Sequence, residues 1–128
     1  METATDFAKY LTKFFTEYLV GERGASSHTI RSYSDTFTLV LTYMDKVRHI
    51  AADRLTLTHF CRETVLDFLD WLQKERKCAN STRNQRLAAL HSFFTYMQYE
   101  DAKHLELWQN ILSIKVKRPE RRSFVNYL

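Results

Sequence analysis

Two polar stretches of the sequence, each followed by a strongly apolar pattern, carry the residue types that bind polyanions. The first, SSHTIRS, supplies Ser27, His28, Thr29, Arg31 and Ser32. The second, NSTRNQR, supplies Ser81, Thr82, Arg83, Gln85 and Arg86. Hydroxyl groups and the free N–H groups of a helix start bind phosphates, whereas amide and guanidinium groups also pair with the edges of bases. The two stretches therefore predict a nucleic-acid contact, provided that each begins a helix and that both helices face the same side.

Capping is the simpler explanation for some of these hydroxyls. A serine before the first helical turn accepts a hydrogen bond from a backbone N–H group. Ser26 or Ser27 can do so in the first stretch, and Ser81 can in the second. For Ser27 and Ser81 the sequence leaves capping and ligand binding equally open. The four consecutive polar side chains at 83–86 are more than a cap requires, so the pattern favours binding by Gln85 and the two arginines beside it.

Apolar residues repeat at helical spacing along most of the chain. The spacing predicts helices over about 7–19, 27–48, 62–77 and 81–97, and a short fifth helix around 108–112. Two glycines and one proline are too few for the turns of a β-sandwich or barrel, and 128 residues suffice for one core. The sequence thus predicts an all-α bundle of four main helices plus a short fifth helix, with nearly all of the aromatic side chains in its core.

Positive charge is concentrated in two blocks of the sequence. The chain has a formal net charge of +4 at pH 7. Residues 72–94 and 113–128 are strongly basic, whereas residues 1–71 and 95–112 are slightly acidic. The second basic block contains Lys115, Lys117, Arg118, Arg121 and Arg122. Such blocks on an otherwise balanced chain favour a localised anionic partner, although charge alone is equally compatible with solvated helix ends and a tail.

Other chemistries find little support in the residues. The histidines and the two cysteines lie outside metal-ligand spacings, and two glycines cannot build a phosphate-binding loop. We therefore expect no metal, no cofactor, no small-molecule substrate and no catalytic residue, with Cys61 and Cys78 as reduced thiols. The N-terminus has no uninterrupted apolar core and no stretch is long enough to span a bilayer, which predicts a soluble, cytoplasmic protein without a membrane partner.

Three segments together resemble a known family. They are FFTEYLVGERGASSHTIRSYSDTFTLVLTYM, TVLDFLDWLQKERKCANSTRNQRLAALHSFFTYM and IKVKRPERRSFVNYL. Their motifs S-x-x-T-x-x-x-Y and S-T-x-N-x-R-L-x-A-L-x-x-F-F-x-Y resemble the N-terminal core-binding, or SAM-like, domain of tyrosine recombinases, which include phage integrases and Xer-like enzymes. The resemblance runs from Thr5 to the end of the chain. It implies an orthogonal helical bundle that forms half of a clamp around a recombination site on double-stranded DNA.

The resemblance also implies roles for particular segments. The two polar stretches would be the helix starts that enter the DNA. Residues 115–122 would run along the DNA backbone, so we expect a helical DNA-binding domain over 1–114 and a basic linker over 115–128. The first helix would contact further recombinase protomers on the DNA, which would give Phe7, Tyr10 and Phe14 a second role.

The family's catalytic arginines, histidine and nucleophilic tyrosine belong to a C-terminal domain, and the sequence ends where that domain would begin. Tyr127 has no such set around it. We therefore expect a non-catalytic fragment that binds DNA sequence-specifically and cuts nothing. The alternative is a helical protein–protein interaction domain whose basic tail is incidental, and an autonomous nuclease is the least favoured. Under the alternative, Arg83, Arg86 and the cations at 115–122 would scatter over the surface instead of sharing one concave face.

Overall fold

The computed structural model describes residues 4–118, which contain helices and turns but no strand. Five α-helices follow one another: α1 (Asp6–Lys13), α2 (Ser27–Lys46), α3 (Arg62–Glu75), α4 (Asn80–Glu100) and α5 (Leu105–Leu112). Single 3-10 turns lie in the connections, at Ala52–Arg54, Leu57–His59 and Ala102–His104. The predicted all-α bundle of four main helices and a short fifth is confirmed. None of the described helices is both long enough and apolar enough to cross a bilayer.

The first helix continues beyond α1 as a π-helical segment, Phe14–Glu22. Thr5 begins α1 by accepting a hydrogen bond from the Ala8 N–H group at 3.1 Å. Because a π-helix closes hydrogen bonds between residues five apart, Phe14 and Leu19 fall on one face, and both are buried. Periodicity predicted a helix here but not this wider winding. Gly24 then turns the chain toward α2 with a φ of 57°, a conformation that glycine adopts without strain.

α2 begins and ends close to its predicted bounds. The Ser26 hydroxyl accepts a hydrogen bond from the Thr29 N–H group at 3.1 Å, so Ser26 and not Ser27 is the N-cap. The inner face is buried as predicted at Phe37, Val40 and Met44. Val47 lies within the helix predicted over about 27–48 but is 44% exposed, because α2 ends at Lys46 and Val47 lies past its last turn.

Aromatic rings form the centre of the core. Phe93 of α4 is fully buried, and its ring centroid lies between 5.3 and 5.8 Å from those of Phe7, Phe14 and Phe37. All three contacts are edge-to-face, the arrangement that the ring quadrupoles favour. The prediction that the aromatic side chains fill the core is confirmed for most of them. Tyr99 is the clear exception, at 79% exposed.

The burial of two rings in the first helix rules out the contact with neighbouring protomers that the family resemblance implied for them. Phe7 and Phe14 are 2% and 0% exposed, so neither ring is available to a neighbouring protomer, and the second role suggested for them is wrong. Their faces point inward because the rings of α2 and α4 already cover them. Tyr10 is half-buried and is the one member of that set with an accessible surface.

The cysteines and the acidic side chains form no metal centre in the described part of the chain. Cys61 and Cys78 are both free thiols, as predicted. Within residues 4–118 no three His, Cys, Asp or Glu side chains group closely enough to hold a metal ion. The Cys61 thiol instead lies 3.3 Å from the Thr64 hydroxyl in the first turn of α3.

A half-buried histidine in α4 gives the fold a pH dependence. The His91 Nε2 is buried and has no hydrogen-bond partner within residues 4–118. Burial lowers the pKa of His91, and contact with the Ile111 backbone offsets this only in part. The unfolded chain keeps an ordinary histidine pKa and therefore binds a proton that the folded chain resists. The free energy of unfolding should therefore decrease as the pH falls below about 6.5, the ordinary pKa of histidine.

We expect the wild type to lose more unfolding free energy than His91→Gln when the pH is lowered from neutrality to about 5.5, because glutamine does not titrate. Urea unfolding of both proteins at the two pH values measures the difference. Since the remaining titrating groups are common to both chains, parallel losses would show that His91 carries no such penalty.

Candidate nucleic-acid interface

Side chains from the first three turns of α2 and from the second turn of α4 line one open groove. Its volume is about 350 Å³. The side chains that line it are His28, Arg31, Ser32 and Asp35 of α2 and Gln85 and Arg86 of α4. We call this surface the helix-start groove. Two polar stretches that are remote in the sequence therefore meet on one surface, as the analysis of their residue types required.

The α2 side of the groove is presented by a capped helix. Because Ser26 performs the capping, the hydroxyl of Ser27 is not needed for it. Ser27, His28 and Arg31 are exposed, whereas Thr29 and Ser32 are half-buried. Capping was an open alternative for Ser27, and the structure assigns that task to its neighbour.

The α4 side begins one residue earlier than predicted. Ala79 is the N-cap residue, with an extended backbone, and no side chain of the described chain caps this helix. Ser81, predicted to be the cap, instead lies inside the first turn and is exposed. The Asn80 side chain accepts a hydrogen bond from the Gln73 Nε2 at 2.8 Å, which ties this helix start to the last turns of α3. Within residues 4–118, the first N–H groups of α4 thus have no side-chain cap.

Arg86 is half-buried and links the two sides of the groove. Its Nη1 donates to the Oγ1 of Thr36 at 3.3 Å, and Thr36 is a fully buried residue of α2. A guanidinium held at one nitrogen keeps its other donors in a fixed orientation, which suits a phosphate or a guanine edge. Thr82 is half-buried and Gln85 is exposed at the same end of α4.

Arg83 does not belong to the groove. It is 5% exposed, and its Nη1 lies 3.4 Å from both the Lys115 carbonyl oxygen and the Asn84 Oδ1. Desolvation by this burial lowers the pKa of Arg83, partly opposed by the charge of Asp70. The prediction that Arg83 reaches a ligand from the surface is corrected by this burial, because the chain after α5 lies across it.

The first residues of the basic block are docked against α4. Asn84 donates to the Lys117 carbonyl oxygen at 2.6 Å and accepts from the Lys117 N–H group at 2.9 Å. Lys115, Lys117 and Arg118 are exposed and non-helical. The other two predicted cations, Arg121 and Arg122, lie outside the described residues. The described cations of this block therefore stand beside the start of α4, but none of them lines the groove that contains Arg86, so the predicted sharing of one concave face is not observed among the described residues.

Two features of this surface were missed by sequence reasoning. Asp35 places a carboxylate in the groove among the cations, and it lies one helical turn after Arg31. The contacts of Asn80 and Asn84 with residues 117 and 118 were not predicted, because the sequence does not show which partner an amide in a polar stretch will bind. Their spacing of four residues, which puts both on one side of a helix, was the available signal.

The domain is all-α, and side chains of its second and fourth α-helices meet at one groove. Comparison with family models gives the narrower assignment: residues 12–101 match the phage integrase N-terminal SAM-like domain. The chain belongs to this family, as its motifs had indicated.

Curated relatives carry recombinase names. The chain is 35% identical over its full length to y4rC of Sinorhizobium fredii, named as an integrase/recombinase, and spans 38% of that protein. It is 34% identical over 81% of its length to the tyrosine recombinase XerC of Herpetosiphon aurantiacus, of which it spans 32%. Over 70% of its length it is 31% identical to the tyrosine recombinase XerD of Listeria monocytogenes, of which it spans 29%. No solved structure gives a significant match. The chain thus covers well under half of each of these relatives.

Proposed function

We propose that this domain binds duplex DNA at a recombination core site as the core-binding part of a site-specific tyrosine recombinase or integrase. The observation that carries the proposal is the helix-start groove, where polar and cationic side chains of the N-terminal half of α2 meet Gln85 and Arg86 of α4. Cationic and hydrogen-bonding side chains of two helices on one surface can together hold neighbouring phosphates of a single duplex.

The polar side chains divide by the chemistry that each can perform. Hydroxyls at Ser27, Thr29, Ser32, Ser81 and Thr82 suit phosphate oxygens, which position the duplex without reading its sequence. Gln85 and Arg86 are able to pair with adenine and guanine edges, and Asp35 is able to accept from the amino group of cytosine. This division supports sequence-specific binding, with His28 and Arg31 at the rim as further donors.

The docked basic residues lie beside the start of α4, on the other side of this helix from the groove. Lys115, Lys117 and Arg118 leave the helical domain along the start of α4 and would follow the DNA backbone from there. We assign residues 1–114 to the helical domain and 115–128 to a linker toward the rest of a recombinase. Catalysis would then reside outside this domain, and further recombinase protomers would share the same DNA.

A salt titration tests the proposed binding. With about five to eight phosphate contacts, the logarithm of the association constant for a short labelled duplex should fall with the logarithm of salt concentration at a slope of roughly −4 to −7. Fluorescence anisotropy between low and moderate salt measures the slope. A polyglutamate chain of similar charge is the control for unspecific attraction of anions and should compete poorly. Affinity for the duplex that does not respond to salt, or no affinity at low salt, would overturn the proposal and favour the protein-interaction alternative.

A further inference from the structure

Three side-chain amides hold the chain that leaves the helical domain. The Asn84 amide pairs with both backbone groups of Lys117, and the Asn80 Nδ2 donates to the Arg118 carbonyl oxygen at 3.0 Å. Gln73 of α3 accepts from the Lys117 Nζ at 2.7 Å and donates to the Asn80 Oδ1. We call Gln73, Asn80 and Asn84 the amide clasp.

The Asn84 contact imitates a β-bridge. A side-chain amide offers one donor and one acceptor in the geometry of a peptide group, and here both are used by the same residue of an extended segment. Such a contact binds the backbone of the segment and not its side chains. It therefore fixes the path of the backbone and leaves the side chains of Lys115 and Arg118 exposed. The proline that follows Arg118 in the sequence also disfavours a helical backbone at Arg118.

The clasp and the helix-start groove lie on different sides of the same helix start. Asn80, Arg83 and Asn84 face the segment, while Gln85 and Arg86 face the groove, as the helical rotation between them requires. The clasp therefore holds the three described cations at a set place relative to the groove. It adds no charge of its own, because all three of its members are neutral amides.

We propose that Asn84 is a positioning residue for DNA binding: through the amide clasp it fixes the exit path of the chain and so holds Lys115, Lys117 and Arg118 where they reach the phosphates next to the groove. The claim that Asn84 affects DNA binding rests on the proposed function. The claim that the amide clasp holds residues 115–118 does not depend on DNA.

The test compares Asn84→Ala and Asn84→Leu with the wild type and with Asn110→Ala, which removes an exposed amide from α5. Leucine keeps the bulk of asparagine and removes both hydrogen bonds to Lys117 together with the longer one from the Arg83 Nη1, so agreement between the two variants separates hydrogen bonding from packing. Without DNA, the Lys117 amide proton should exchange at least about tenfold faster in both Asn84 variants than in the wild type. Hydrogen exchange followed by NMR measures this, and Asn110→Ala should leave it unchanged.

With a short duplex, both Asn84 variants should bind at least about threefold more weakly, and the salt slope should become shallower by about one to three because fewer phosphates are held. A loss of slope at unchanged net charge and unchanged unfolding midpoint is not produced by a merely structural role. Unchanged Lys117 exchange would overturn the clasp, and faster exchange with unchanged affinity and slope would overturn its role in positioning. A wild type that binds no duplex would refute the proposed function instead, and the exchange rates would still decide whether Asn84 holds the segment.

Discussion

Replacing Phe93 with alanine should lower the unfolding free energy by about 3 to 5 kcal/mol, which is the range for removing a fully buried aromatic ring. The ring is 0% exposed and contacts Phe7, Phe14 and Phe37 edge-on, so its loss leaves a cavity between three helices instead of a surface dent. For a domain of this size such a loss lowers the melting temperature by about 10 °C or more. Thermal and urea unfolding, followed by circular dichroism, measure the effect.

Tyr99→Ala is the matched control on the same helix. It also removes a large aromatic side chain, but Tyr99 is 79% exposed, so its unfolding free energy should change by no more than about 0.5 kcal/mol. If Phe93→Ala and Tyr99→Ala have the same unfolding free energy, Phe93 does not lie at the centre of the core.

The sequence predicted the helices and most of the core because both depend on local periodicity. Phe93 lies on the same stripe of α4 as Leu87, Leu90, Phe94 and Met97, and all of them are buried. That stripe is readable from one helix alone, since the residues three and four positions apart share a face. The end of the second helix was predicted about two residues too late, as the exposed Val47 shows.

What the sequence did not predict depends on contacts between remote segments. Arg83 looks like a surface cation in its polar stretch, and it is buried only because the segment at 115–118 crosses it. Ser81 is not the cap, because α4 begins at Asn80 with Ala79 as its N-cap residue. The sequence analysis did predict that residues of the two polar stretches lie on one side of the domain, because only then can both contact the same nucleic acid. The roles of the individual side chains in the groove stay predictions.

Substitution of the two groove arginines should weaken duplex binding by about 1 kcal/mol or more for each, and by about 2 kcal/mol or more together, if each reaches the DNA. Arg31 is exposed at the start of α2, and Arg86 lies at the start of α4 across the groove. Arg86 also donates to Thr36, but Thr36 keeps its hydrogen bond to the Ser32 carbonyl oxygen in Arg86→Ala, so the fold should lose little. Unfolding curves of each variant check this.

Arg54→Ala is the control for the loss of one positive charge. Arg54 is exposed in the 3-10 turn Ala52–Arg54, which packs beside the C-terminal half of α2, and it does not line the groove. Its removal changes the net charge as much as either groove variant does but leaves the groove intact. It should weaken binding far less than Arg31→Ala or Arg86→Ala.

The affinity of one short duplex for Arg31→Ala, Arg86→Ala and Arg54→Ala, measured across a salt series, tests most directly whether the two helix starts act on the same DNA. Both groove variants should bind more weakly than Arg54→Ala, and each should make the salt slope shallower by about one. If only one of the groove variants differs from Arg54→Ala, or neither does, the beginnings of α2 and α4 do not share a duplex.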